Sequence, residues 1–290
     1  MNKLTIEKRS QIVSMLVEGS SINSTCRVLG VSKNTVLKLL SEVGEACALY
    51  QDRVMVGLTC KRVQCDEIWS FVGMKQKNVP VESQDVFGLG DVYTWTSIDA
   101  DTKLMPCWHV GTRGAVSAHI FISDLASRLA NRVQLTTDGH KMYIDAVEEA
   151  FGGEIDYAML IKQYGNEGLP IEAARRYSPA ECTGTEKRRI NGNPDGKHIS
   201  TSYMERANLT MRMGMRRFTR LTNAFSKKIE NHMHAISIFH MHYNFCRVHK
   251  SLRVTPAMEA GLADHIWDME EVLQMVETAP KNVVTDFYSN

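Results

Sequence analysis

The strongest constraint on the fold is a change of hydrophobic period along the chain. Up to residue 43 apolar residues recur at helical spacing, whereas from Val63 they come in short runs rich in β-branched and aromatic residues. Ile12, Val13, Leu16 and Val17 line a first helix that opens at Thr5 and stops at Gly19. Ser20-Ser21 caps a short second helix carrying Ile22, Cys26 and Leu29; Gly30 turns the chain; Ser32 caps a third with Val36, Leu37, Leu39 and Leu40 inward. After a connector at 44–62, strands are expected at 63–72, 91–98, 103–110, 133–137 and 155–161, with helices at 115–131 and 141–151. The order β-β-β-α-β-α-β predicts an α/β fold, a mixed five-stranded sheet flanked by helices and preceded by a small all-α domain. Residues 163–198, with Pro170, Pro179 and Pro194, read as an irregular insertion, and helices resume near 201 and over 225–246.

Length and composition fit such a layout: 290 residues, 43% hydrophobic and 23% charged, with 19 Gly and 7 Pro, describe an ordinary folded protein of about two domains. No apolar run approaches the ~18 residues of a membrane span, and no secretory segment follows the N-terminal charges, so a cytoplasmic protein is expected. The seven cysteines are odd in number and form no C-x-x-C pair, which argues against a disulfide framework and a cysteine zinc ribbon. A net charge of +1 hides opposed blocks. Residues 186–253 carry +10 and residues 1–43 carry +3, while 44–185 and the tail 254–290 carry −6 each. Basic blocks flanking an acidic middle fit either solvated faces or a polyanionic partner, and the residues beside the charge must decide between them.

Residues 1–43 have the pattern of a helix-turn-helix domain, in which the last helix offers its N-terminal polar residues to base edges; here these are Ser32, Lys33, Asn34 and Lys38. Farther on, Asp66 interrupts the apolar run V-Q-C-D-E-I-W-S-F-V, where strand propensity and burial both disfavour a carboxylate. Its neighbour Glu67 is expected on the opposite face of the strand, so that only one of the two can share a site. Asp138 ends the fourth strand in T-T-D-G-H, a place where α/β sheets present ligand-binding groups and where an Asp also caps helices. Asp99 and Asp101 read as hairpin-turn residues. Glu205 satisfies a capping box with Ser202 yet shares a helical strip with Asn208, Leu209 and Arg212. Arg206, Arg212, Arg216, Arg217 and Arg220 surround it with guanidinium groups suited to phosphates.

An Asp on the first strand, an Asp after the fourth and a Glu on a later helix, 72 and 67 residues apart, resemble the RNase H-like DDE transposases and integrases. More specifically, S-Y-M-E-R-A-N-L-T-M-R-M-G-M-R-R-F-T-R-L-T-N-A-F-S-K-K and Y-N-F-C-R-V-H-K-S-L-R-V-T-P-A look like the transposase of the bacterial insertion sequence one family, over nearly the whole chain. The resemblance implies an RNase H-like catalytic domain at 63–253 and a catalytic, metal-binding triad of Asp66, Asp138 and Glu205. It also implies two Mg²⁺ ions, for which Mn²⁺ can substitute, and double-stranded DNA partners, the terminal inverted repeats and a target. Arg212, seven residues after Glu205, would touch the DNA end. Asn208 and, in the segment Tyr-Asn-x-x-Arg-x-His, Asn244 and His249 would support the carboxylates from behind. A homodimer or higher oligomer is expected because two ends must be held together, and the protein would be nucleoid-associated when bound to DNA. Members of that family commonly carry an N-terminal cysteine zinc finger that this chain begins without.

Two other readings stay open at this point: a helix-turn-helix regulator with a non-catalytic second domain, and a stand-alone nuclease of the same fold. His242, Cys246 and His249 fall on one helix face at i, i+4 and i+7, a zinc-like spacing with no evident fourth ligand. The acidic tail, with Trp267 and Met269 among its carboxylates, fits either a contact helix or a solvated end.

Overall fold

The computed structural model describes residues 4–164, 182–219 and 223–278. Two compact units emerge: one spans Met55–Met211, and the other joins the two ends of the chain, up to Val54 and from Arg212 onward. In the latter, α1 (Ile6–Val17) is capped by the Thr5 side chain and α2 (Ile22–Leu29) by Ser21, with Gly30 closing α2 at a φ of 64°. Ser32 Oγ accepts the Thr35 N–H at the start of α3 (Lys33–Val54). That third helix runs to Val54, so most of the expected connector at 44–62 is helical. Buried Val43, Ala46 and Cys47 continue its apolar face.

The Met55–Met211 unit is a mixed six-stranded sheet flanked by helices, in the order β3-β2-β1-β4-β5-β6. Its strands are β1 (Arg62–Val72), β2 (Gly90–Asp99), β3 (Trp108–Gly111), β4 (Val133–Thr137), β5 (Ile155–Tyr164) and β6 (Cys182–Asn191). Strand β1 pairs antiparallel with β2 and parallel with β4; β4 and β5 are parallel, and β5 and β6 antiparallel. The expected count of five is therefore corrected to six. Strand β6 lies within the stretch 163–198 read as irregular: its sequence C-T-G-T-E-K-R-R-I-N has no apolar alternation, and pairing with β5 makes it a strand. The third strand is shorter than expected, because Pro106 has no N–H to give a ladder.

Helices α4 (Ala115–Arg128) and α5 (Met142–Phe151) pack against each other. Trp95 of β2 meets Phe121 of α4 and Tyr143 of α5 at centroid distances of 6.1 and 5.2 Å, forming an aromatic core. The Gln64 side chain anchors the start of α6 (Ser202–Gly214), its Oε1 accepting the N–H groups of Tyr203 and Met204 at 2.9 and 3.1 Å. The strand residues thus fall into two sets: one, with Gln64 and Asp66, on the side of α6, and the other, with Glu67 and its neighbour Trp95, on the side of α5.

Helix α6 ends in the terminal unit, as do α7 (Ile229–Met241), α8 (Pro256–Glu259) and α9 (Met269–Thr278). The domain expected at 63–253 is thereby divided, since α7 packs on α3. Gly44 permits that approach: a Cβ there would lie 2.5 Å from His234 Cβ. The acidic tail contributes α9, which buries Val272 and Leu273 and packs on α1 and α3, with Glu277 accepting from Arg9 at 3.0 Å. Among the described residues no helix is long and apolar enough to cross a membrane.

Candidate active site

Asp66 occupies the middle of β1, where the ladder to β2 fixes its direction. Its Oδ1 accepts the Glu67 N–H and its Oδ2 accepts Asn208 Nδ2 from α6, both at 2.8 Å. Burial, then the charges of Asp138 and Glu67, push its pKa up to about 7; the Glu67 N–H opposes the shift, and Glu205 adds to it. Asp138 leaves the end of β4 with its Oδ1 accepting the His140 N–H at 2.9 Å. Its Oδ2 lies 3.9 Å from the Arg113 guanidinium.

Glu67 departs from the sequence expectation. It does lie on the far side of β1, yet carboxylate oxygens of Asp66, Glu67 and Asp138 all come within 4.8 Å of one another. Alternation separates the Cβ directions of adjacent strand residues, but Asp138 lies just past the end of its strand, within reach of both. The Glu67 side chain is 2% exposed. It accepts Arg113 Nε at 2.7 Å and the Tyr143 hydroxyl at 3.2 Å, with His140 Nε2 at 4.0 Å. Burial and Asp138 raise its pKa while Arg113 and His140 hold it down.

Glu205, the third expected carboxylate, stands outside that close cluster, though its charge reaches Asp66. The expected capping box with Ser202 is replaced: Thr201 Oγ1 donates to Glu205 Oε1 at 2.5 Å, and Lys162 Nζ of β5 pairs with the same oxygen at 2.6 Å. Asn208, one turn along, contacts Asp66 directly. Lys162, Arg113 and Tyr143 went unnoticed in the sequence because their chain positions give no local signal; His140 was visible only as part of T-T-D-G-H.

The expected DNA contacts fall mostly in the terminal unit. Ser32, Lys33, Asn34 and Lys38 are exposed on the opening turns of α3, Lys38 lying 3.7 Å from Glu42. Arg206 on α6 and Arg216 beyond it are exposed, and Arg212 is half-buried. Arg217 donates to Ser226 Oγ at 2.8 Å, and burial pulls its pKa down to about 10, so its guanidinium is engaged within its own unit. Lys33, Arg216 and Arg217 border one cavity of about 390 Å³ walled by Leu37, Leu40 and Phe239. Arg220 lies outside the described residues. Asn244 is buried in a π-helical turn (His242–Cys246), and His249 shares a hydrogen bond with Ser251 at 3.0 Å; both belong to the terminal unit. His242, Cys246 and His249 form no metal-binding group among the described residues; the three-carboxylate cluster is the group found there.

No protein-family model matches the chain, and no curated protein matches it. Among solved structures, a cryo-EM structure of a piggyBac transposase synaptic complex with hairpin DNA aligns at 12% identity, over 99% of this chain and 76% of that one. Its TM-score is 0.37, too low to support a functional inference. The comparisons leave the insertion sequence one family as a resemblance in the residues quoted above.

Proposed function

We propose that the chain is a divalent-metal-dependent DNA transposase that binds the ends of an insertion sequence, hydrolyses a phosphodiester there and joins the freed strand to a target. The observation that carries this reading is the convergence of Asp66, Glu67 and Asp138, with Asn208 reaching Asp66 from the helix that bears Glu205. An all-carboxylate donor set is hard oxygen chemistry suited to Mg²⁺. Burial first, and then the charges of Asp138 and Glu67, raise the Asp66 pKa, and a dication would offset that mutual repulsion. Asp66, Asp138 and Glu205 would hold the ions. When bound, two Mg²⁺ ions would favour attack on the phosphorus and stabilise the departing 3′ oxygen.

The remaining roles belong to the chain itself. Glu67, locked by Arg113 and Tyr143, fixes Asp138 through the shared guanidinium. Ser32, Lys33, Asn34 and Lys38 would read the terminal repeat, and Arg206, Arg212, Arg216 and Arg220 would hold phosphates. Water cuts at the element end, and the released 3′-OH attacks a target phosphodiester. One phosphodiester is exchanged for another, so joining needs neither a covalent protein intermediate nor an external energy source. Two ends must be processed together, which calls for a dimer or larger assembly.

The test is a labelled duplex from the DNA flanking the gene, incubated with protein and Mg²⁺ and scored for nicked and joined products. Wild type is expected to give both and Glu205→Gln neither. Nicking without joining would favour the nuclease reading, binding alone the regulator, and full activity in Glu205→Gln would remove that residue from the triad.

A further inference from the structure

The partner of Glu205 extends the function proposed above and rests on it. Strand register places Lys162 on the same side of the sheet as the aspartates. Gln64 of β1 pairs with Thr136 of β4, and Thr136 with Ala158 of β5. Stepping two residues along each strand brings Asp66, Asp138 and Leu160 level on that face, and one further step brings Lys162. Helix α6 covers this face, contributing Asn208 to Asp66 and Glu205 to Lys162. A single ammonium, 29% exposed, therefore sits on the carboxylate that the reaction needs as a metal ligand. Lys162 Nζ and Thr201 Oγ1 both hold Glu205 Oε1, at 2.6 and 2.5 Å, so a dication that takes this oxygen, or both oxygens together, must displace one of them.

We propose that Lys162 is an exchangeable counter-ion of Glu205, displaced from it by the divalent ion and then paired with a phosphate of the bound DNA strand. The exchange conserves charge locally: the ammonium leaves one anion for another. It also couples metal and DNA, because the ammonium released from Glu205 stays beside the carboxylates, where a phosphate held by their metal ions would lie. Lysine suits the part better than arginine, being a point charge on a flexible stem with three rotatable donors. Lys162 is a positioning residue in this scheme until DNA arrives, and a phosphate ligand afterwards.

The experiment combines two binding readouts on wild type, Lys162→Met, Glu205→Gln and the double variant. Mn²⁺ affinity without DNA is measured by calorimetry. Affinity for a short duplex is measured against salt, with and without Ca²⁺. Lys162→Met is expected to tighten Mn²⁺ binding about two- to fivefold, the size of a partly exposed ion pair. That gain should vanish in the Glu205→Gln background, where a mere repulsion between lysine and metal would persist. With Ca²⁺ present, Lys162→Met should lower the slope of log affinity against log salt by about 0.9, one phosphate contact, and without Ca²⁺ it should leave the slope unchanged. Unchanged Mn²⁺ affinity, a gain that survives Glu205→Gln, or a salt slope insensitive to Lys162 would overturn the exchange while leaving the transposase reading intact. Absence of any Mn²⁺ binding by wild type would overturn both.

Discussion

Asp66 places an acid where strand propensity and burial both disfavour one. Its carboxylate is buried against Asp138 and Glu67, and its pKa is pushed to about 7, far above the value it has in an unfolded chain. The folded state therefore holds a proton that the unfolded state releases. This group's contribution to stability is present at low pH and is lost as pH rises through about 7. Without metal, Asp66→Asn should melt above wild type at pH 8, where the native carboxylate is charged, and the margin should shrink towards pH 6; thermal melts at the two pH values check this. A variant less stable than wild type at pH 8 would contradict it. The anomaly of Asp66 was legible in the sequence as an acid in an apolar run. Glu67 was not, because period-2 alternation speaks for Cβ directions and says nothing of a long side chain meeting a residue just past a strand end.

Elements were legible where a period repeats and faint where tertiary pairing makes them. Helices α1 and α2, the first half of α3 and strands β1, β2 and β4 follow from capping residues and apolar runs in the chain. Strand β6 does not: it is mostly exposed, charged and paired along one side to β5. The packing of α3 on α7 was equally silent, since a lone Gly44 in a helix reads as a weakness rather than a contact. In the fold it is a contact. Gly44→Ala would place a methyl 2.5 Å from His234 Cβ and 2.7 Å from its Cα, with backbone close behind. Denaturant unfolding of that variant should show a loss of about 1–3 kcal/mol, typical of overpacking, instead of the gain usual for Gly→Ala within a helix. A stabilised variant would show that α3 and α7 can separate at no cost.

At the scale of the molecule the two ends of the chain fold together, and the sequence concealed this because the contacts span more than two hundred residues. Arg9 with Glu277 and α9 on α1 turn an expected acidic tail into part of a helical unit. Tyr50, Phe245 and Trp267 cluster there, with centroid separations of 5.1 to 5.5 Å. Charge segregation, by contrast, was readable at once, and the function proposed above assigns the basic segments to DNA and the acidic sheet end to cations. That assignment depends on the carboxylates binding a divalent ion in the folded protein. A calorimetric Mn²⁺ titration of wild type and Asp138→Ala at pH 8 and pH 6, with fold checked by circular dichroism, measures it directly. Wild type should bind saturably at pH 8 and about tenfold more weakly at pH 6, where the proton on Asp66 must be displaced, and Asp138→Ala should lose binding at both. Equal binding by wild type and variant, or no binding by either, would contradict the assignment of these carboxylates as the metal site.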